Sequence, residues 1–288
     1  MQEIKTISAE DDKYPKLLRE IKNPPKILYI KGEILPEENC FAIVGTRRCS
    51  SYGKQVALEI AGDLAEAGLT IVSGLAPGID TFCHLATVER RKRTIAVLGT
   101  GLDEKSIYPK ENIKLAEKIV ETDGCLVSEY APGTSGSKFT FPQRNRIISG
   151  LSLGVLVIEA KQKSGALITA FWTKQQRRKI FALPGPIHSL NSKGPHILIK
   201  QGAKLVESAN DILKELNLPQ KSTRTSLVEG ENKEENLILD ALKEETLYID
   251  KIIERTKLSA TTVASNLAIL KIQGKVKNLG NNIYALSH

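Results

Sequence analysis

No apolar run in this chain is long enough to span a bilayer, and the opening stretch MQEIKTISAEDDKYPK is too acidic and polar for a secretory signal. Membrane insertion and export are therefore not expected; a cytoplasmic location is. The four cysteines, Cys40, Cys49, Cys83 and Cys125, include no CxxC pair, which argues against a disulfide framework or a structural zinc site. No internal repeat is found. Acid is nearly missing from one segment: between Lys138 and Lys204 stand twelve Lys and Arg and a single carboxylate, Glu159. The whole chain carries a formal charge of +8, so this segment holds more than the entire surplus. A solvated face intersperses both signs, whereas a single-sign block within a folded domain points to a site for anions.

What is present is a βα rhythm. After a lead over residues 1–40, with a short helix at 14–21 and an edge strand at 27–30, apolar runs recur at 41–45, 69–74, 94–99, 125–129, 155–160 and 179–185. Continuous β-branched runs suit parallel strands buried on both faces, and helices such as 54–67 and 113–122 fit between them. The expectation is an α/β fold, a Rossmann-like, doubly wound and mostly parallel sheet over 41–216, whose strand-end loops share one edge. Residues 217–234 are polar and aperiodic, as a linker would be. Three short helices at 237–243, 249–256 and 260–273 and a hairpin around residues 280–282 then predict a winged-helix domain over 235–288, with Ser259 as the third helix's N-cap.

Four loops carry the chemistry. In GTRRCSSYG (45–53), glycines admit a ligand to the backbone and Arg47 or Arg48 can fork onto a phosphate, although two solvated arginines in a βα turn would read the same way. Neither GxGxxG nor a P-loop is present. In SGLAPGID (73–80), Ser73 and Gly74 form a nest-like turn, and Asp80 is a helix-starting acid. His84 follows Cys83, but adjacent helix positions point about 100° apart, so a packed histidine is expected and not thiol catalysis. In KFTFPQRNR (138–146), Lys138, Phe139 and Phe141 precede Arg144, Asn145 and Arg146; aromatics that stack on bases beside arginines that hold phosphates are the recipe for single-stranded nucleic acid. Arg144 and Arg146 cannot both face one way, so one is expected to pair internally, with Glu159 as its partner. The fourth loop, Lys163-Ser164-Gly165, again suits a phosphate at a helix start.

The segments AIVGTRR, IVSGLAPGID, AVLGTGLD, Tyr108-Pro109, SEYAPG, FPQRNRIISGLS, VLVIEA, KSGALITA, LPG and the stretch 194–203 together resemble the DNA-processing protein A family (DprA, also called Smf). The resemblance runs from about residue 14 to 216 and more loosely beyond. It implies a non-catalytic homodimer that binds single-stranded DNA, protects it and helps to load the RecA recombinase in natural transformation or recombination. It further implies DNA contacts at Arg47, Ser73, Gly74, Lys138, Phe141, Arg144, Asn145, Arg146, Lys163, Ser164 and Gly165, with no cofactor and no metal. Asn145 and one of the arginines are expected to serve architecture as well. Pro77, Phe82-Cys83 and Trp172 depart from the family pattern, and the N-terminal helix-hairpin-helix-like module of many relatives is expected to be missing or vestigial.

Two rivals remain. A nucleotide-hydrolysing phosphoribohydrolase shares the layout but uses PGGxGTxxE, where this chain has KSGALITAFW without a carboxylate for acid–base work. A winged-helix transcription factor would read DNA through Thr261, Thr262, Ser265, Asn266 and Lys271, yet residues 235–288 carry nearly balanced charge, a poor basis for duplex binding.

Overall fold

The computed structural model describes residues 3–220, 230–243, 245–280 and 282–286, and the chain divides into two units, Met1–Lys221 and Ser222–His288. The first unit opens with β1 (Ile4–Ser8), α1 (Lys16–Arg19) and β2 (Ile27–Gly32). A βα alternation follows: β3 (Cys40–Val44), α2 (Ser51–Glu66), β4 (Thr70–Ser73), α3 (Ile79–Glu89), β5 (Thr94–Leu98), α4 (Ile113–Glu121) and β6 (Cys125–Ser128). Then come α5 (Thr140–Gly150), β7 (Gly154–Val157), α6 (Gly165–Gln175), β8 (Lys179–Ala182), α7 (Lys193–Lys200), β9 (Lys204–Leu205) and α8 (Ala209–Glu215).

These strands form one nine-stranded sheet in the order β1-β2-β6-β5-β4-β3-β7-β8-β9. The pairs from β6 through to β9 are parallel, and β1 and β2 add an antiparallel margin. The strands of the lead segment, β1 and β2, thus belong to the same sheet as the parallel core. The strand expected at the edge, β2, lies one place inside it, because Ile4–Ser8 supplies a further partner. Tyr14, fully buried, donates its hydroxyl hydrogen to the Pro25 carbonyl and closes this margin onto the body.

Alternation along each strand divides the core between two layers. Cys40, Ala42 and Val44 face a cluster with Leu18 of α1, Ile147 and Ile148 of α5, Ala166 and Ala170 of α6, and Leu198 of α7. Phe41 and Ile43 face the opposite cluster, built with α2, α3 and α8. Beyond it, α4 packs Leu115, Ala116 and Ile119 on Leu98 and Leu126. From β3 to β6 the chain steps outward in one direction; it then returns through α5 and lays β7 on the other side of β3. Crossovers in parallel sheets are right-handed, so reversing direction moves the helices to the other face. The strand order therefore switches between β3 and β7, where the loops leaving the two strands part and open a crevice.

The second unit contains α9 (Lys233–Ala241), β10 (Leu247–Tyr248), α10 (Ile249–Thr256), α11 (Ala260–Ile272), β11 (Val276–Gly280) and β12 (Ile283–Leu286). Its core is Ile238, Leu242, Ile252, Val263, Leu267 and Leu270 among others. Ser259 caps α11 as expected, accepting from the Thr262 N–H at 3.1 Å. A third strand, β10, pairs with β12, completing the winged-helix sheet β10-β12-β11. Of the expected linker 217–234, residues 221–229 lie outside the described residues.

His84 is a packed histidine. It is fully buried, its Nδ1 meets the Thr94 hydroxyl at 2.8 Å, and its Nε2 has no partner among the described residues. Burial, aided by the positive charge of Arg144, drives its pKa down to about 3. Because an unfolded histidine titrates near 6.5, the neutral ring contributes stability that is complete above that pH and lost as pH falls from there toward 3. Between pH 7 and pH 5 the chain should lose about 2 kcal/mol through this group. Urea midpoints at the two pH values should therefore differ less in His84→Gln than in the wild type; equal differences would remove this account.

Candidate nucleic-acid interface

Three strand-end loops are tied to one another by backbone hydrogen bonds. The Thr46 N–H after β3 donates to the Glu159 carbonyl after β7 at 2.7 Å, and the Ile79 N–H at the start of α3 donates to the Thr46 carbonyl at 3.2 Å. Glycine is required for this approach. A Cβ on Gly45 would come within 2.5 Å of Ile79, and one on Gly78, which has φ +83, within 2.3 Å of the Thr46 carbonyl oxygen. The turns following β3, β4 and β7 thus converge, and the start of α5 closes the ring. They enclose a cleft of about 570 Å³.

The cleft is cationic. Arg47 and Arg48 come from the β3 loop, Lys138 from the approach to α5, and Lys161 and Lys163 from the β7 loop. All five are exposed, and among the described residues none forms a salt bridge. The lining includes one carboxylate, Asp80, which is buried and accepts from the Gly74 N–H at 3.1 Å. Burial raises its pKa, while Arg144 and the N–H groups of Gly74 and Ala76 oppose the rise. Glu159, the single acid of the basic segment, is turned away to the start of α2. There it accepts from the Ser50 N–H at 2.9 Å and the Ser50 hydroxyl at 2.6 Å, a carboxylate at a helix N-terminus where the dipole favours it. The N-terminus of α2 is thereby met by the Glu159 carboxylate, whereas at α3 the Asp80 carboxylate turns back to the Gly74 N–H of the preceding loop. That of α6 is capped by the Ser164 hydroxyl, which accepts from Ala166, and Gly165 beside it is exposed, with nothing near where a Cβ would stand.

A model of the DNA recombination-mediator protein A family matches residues 5–217, and one of the DprA winged-helix domain matches 222–282. The DNA processing protein DprA of Bacillus subtilis is 44% identical over 217 residues, covering 75% of this chain and 72% of that protein. Protein Smf of Escherichia coli is 38% identical over 278 residues, 93% of this chain and 74% of that one. The chain belongs to the DprA/Smf family. Solved structures agree: DprA of Streptococcus pneumoniae superposes with a TM-score of 0.68 at 44% identity, covering 74% of this chain and 75% of that one. DprA of Helicobacter pylori gives 0.66 at 31% identity, covering 75% and 96%.

Within this chain, the expected contact residues fall into three groups. Arg47, Lys138, Phe141, Lys163, Ser164 and Gly165 line the cleft. Ser73 and Gly74 do not. Ser73 is fully buried and donates to the Ile43 carbonyl at 2.6 Å; the Gly74 N–H is taken by Asp80 and its carbonyl by Arg144. Since the carboxylate of α3 fills this nest, no external anion is needed there.

Arg144, Asn145 and Arg146 are buried in α5 and point to three different walls, as successive helical positions must. Arg144 borders the cleft, but Nη1 donates to the carbonyls of Gly74 and Val97 and Nε to Asn145 Oδ1. Burial lowers its pKa to about 10, so it stays charged at neutral pH. Asn145 also lines the cleft, but its amide donates to the Gly165 carbonyl at 3.1 Å and fixes the start of α6. Arg146 makes a two-pronged pair with Glu129 at 2.6 and 2.7 Å, and not with Glu159. One arginine was expected to pair internally with Glu159; the internal ion pair is instead Arg146 with Glu129, while Arg144 borders the cleft and donates to backbone carbonyls. Arg48, read as the alternative to Arg47, and Lys161, which the sequence reading did not name as a contact, also belong to the cleft. The signal available was their neighbourhood, next to Arg47 and two residues before Lys163.

Elsewhere the twelve-cation segment is diluted by ion pairs. Arg178 meets Glu20, and Lys179 and Lys204 meet Glu215. Arg146→Ala should leave Glu129 unpaired and half-desolvated, costing about 3 kcal/mol and several degrees in Tm. Arg47→Ala, exposed and without an ion pair, should stay within about 0.5 kcal/mol of the wild type. Thermal melts of the two variants check this division, which equal melting points would dissolve.

Proposed function

We propose that this chain binds single-stranded DNA along the switch-point cleft, without catalysing a reaction on it. The observation that carries this reading is the ring of five cations, none in a salt bridge among the described residues, around a cavity whose one described carboxylate, Asp80, is buried beside Arg144. Phosphates would be held by Arg47, Arg48, Lys138, Lys161 and Lys163, and by the α6 start at Ser164-Gly165. The Helicobacter pylori relative, whose structure concerns its single-stranded DNA binding mode, supports the choice of ligand. Against nucleotide hydrolysis, Glu159 is engaged in capping α2, and Asp80 accepts a backbone N–H within the fold; neither is free for acid–base work.

As a recombination mediator, the chain would act in the cytoplasm as a homodimer that shields exposed or incoming strands and delivers them to RecA, during natural transformation or general recombination. The winged helix, with nearly balanced charge, is not the main DNA grip in this reading.

Fluorescence anisotropy with oligothymidylate tests it. Arg47→Ala and Lys163→Ala should each weaken binding irrespective of base sequence, and each should reduce the slope of log K against log salt by about 0.7. Wild-type affinity and slope in both variants would refute the cleft as the binding site. Release of free base from nucleoside monophosphates would refute the non-catalytic reading.

A further inference from the structure

We propose that Tyr108 and Phe139, and not Phe141, carry the bases: they are two open rings at the margin of the cleft on which unpaired nucleobases of the bound strand stack. The inference deepens the single-strand reading and rests on it.

Phe141 is already crowded. A Cβ on Gly99 would fall 2.9 Å from its ring, and one on Gly136 2.5 Å from it, so both glycines pack directly against it. Tyr108 lies with its ring centroid 5.6 Å away at an interplanar angle of 49°, and the Arg47 guanidinium is 5.5 Å from the ring centre. With these four neighbours, Phe141 is a pillar that positions the rings and charges around it. It links the loop after β5, which supplies Gly99 and Tyr108, to the loop after β3, which supplies Arg47.

Tyr108 and Phe139 differ from it in being open, 48% and 70% exposed. Single exposed aromatics are ordinary on protein surfaces; the position of these two is what matters. Each stands one side chain away from the cleft lining, Tyr108 through Phe141 and Phe139 through Lys138, whose ammonium lies 5.1 Å from the Phe139 ring centre. Each open ring is therefore associated with a cation, Arg47 across Phe141 in one case and Lys138 directly in the other. A strand whose phosphates sit on those cations has its bases within reach of the rings. Stacking accepts any base, because every base has a π face.

The test compares binding of the full-length chain to oligothymidylate and to an abasic oligonucleotide of equal length. Tyr108→Ala and Phe139→Ala should each weaken oligothymidylate binding on the order of tenfold, within the range for one stacked base. Tyr108→Phe should bind as the wild type does. For the abasic strand the alanine variants should match the wild type, and their salt slopes should be unchanged, since no phosphate contact is removed. Wild-type affinity of both alanine variants for oligothymidylate, or an equal loss on the abasic strand, would overturn the stacking assignment while leaving the cleft as a single-strand site. If the wild type holds neither strand, the single-strand reading falls, and this assignment with it.

Discussion

The guanidinium of Arg144 lies inside the protein, donating to the carbonyls of Gly74 and Val97 just beyond β4 and within β5, with Asp80 close by. A buried cation is costly to desolvate unless its donors are met, and here backbone oxygens meet them. The consequence is rigidity at the ends of two central strands. Asp80 in turn holds the Gly74 N–H, the α3 start meets Thr46, and Thr46 meets Glu159. The floor of the cleft is thus one continuous hydrogen-bonded unit, and the exposed cations are mounted on it. Preorganised cations bind with less ordering cost than free side chains on a mobile loop.

The fold was largely legible because each buried strand is a short, β-branched run bounded by small residues, a pattern that a parallel sheet covered on both faces imposes. The six expected runs all became strands. The margin was harder to read. Ile4–Ser8 is half-exposed and has no continuous apolar signature, so its pairing with β2 was not anticipated, and β2 was assigned to the edge it does not occupy. Two-residue strands such as β9 and β10 carry too little pattern to be seen at all.

In the site, the loops could be read but not the direction of each side chain. A nest-like glycine turn looks the same whether it binds a ligand's phosphate or the chain's own carboxylate, and at Ser73-Gly74 the occupant is Asp80. Likewise, an Arg-Asn-Arg run announces positive charge without revealing that all three residues are used to fasten α5 to neighbouring walls. The partner of Arg146 proved to be Glu129, which lies outside the acid-poor segment and was therefore not considered. Net charge along the sequence overstated the charge at the cleft for the same reason, because Arg178, Lys179 and Lys204 find acids contributed by distant segments.

The placement of β7 beside β3 has a consequence for how the molecule comes into being. Those two strands are separated by more than a hundred residues, yet their junction makes the crevice. Contacts between such remote segments form late, after the entropy of closing a long loop has been overcome. A nascent chain that has completed β6 holds only two of the five cations, Arg47 and Arg48, and leaves one side of β3 without a neighbour, an unpaired edge open to association. Completion of the cationic cleft and protection of the central sheet therefore arrive in the same event, the insertion of β7.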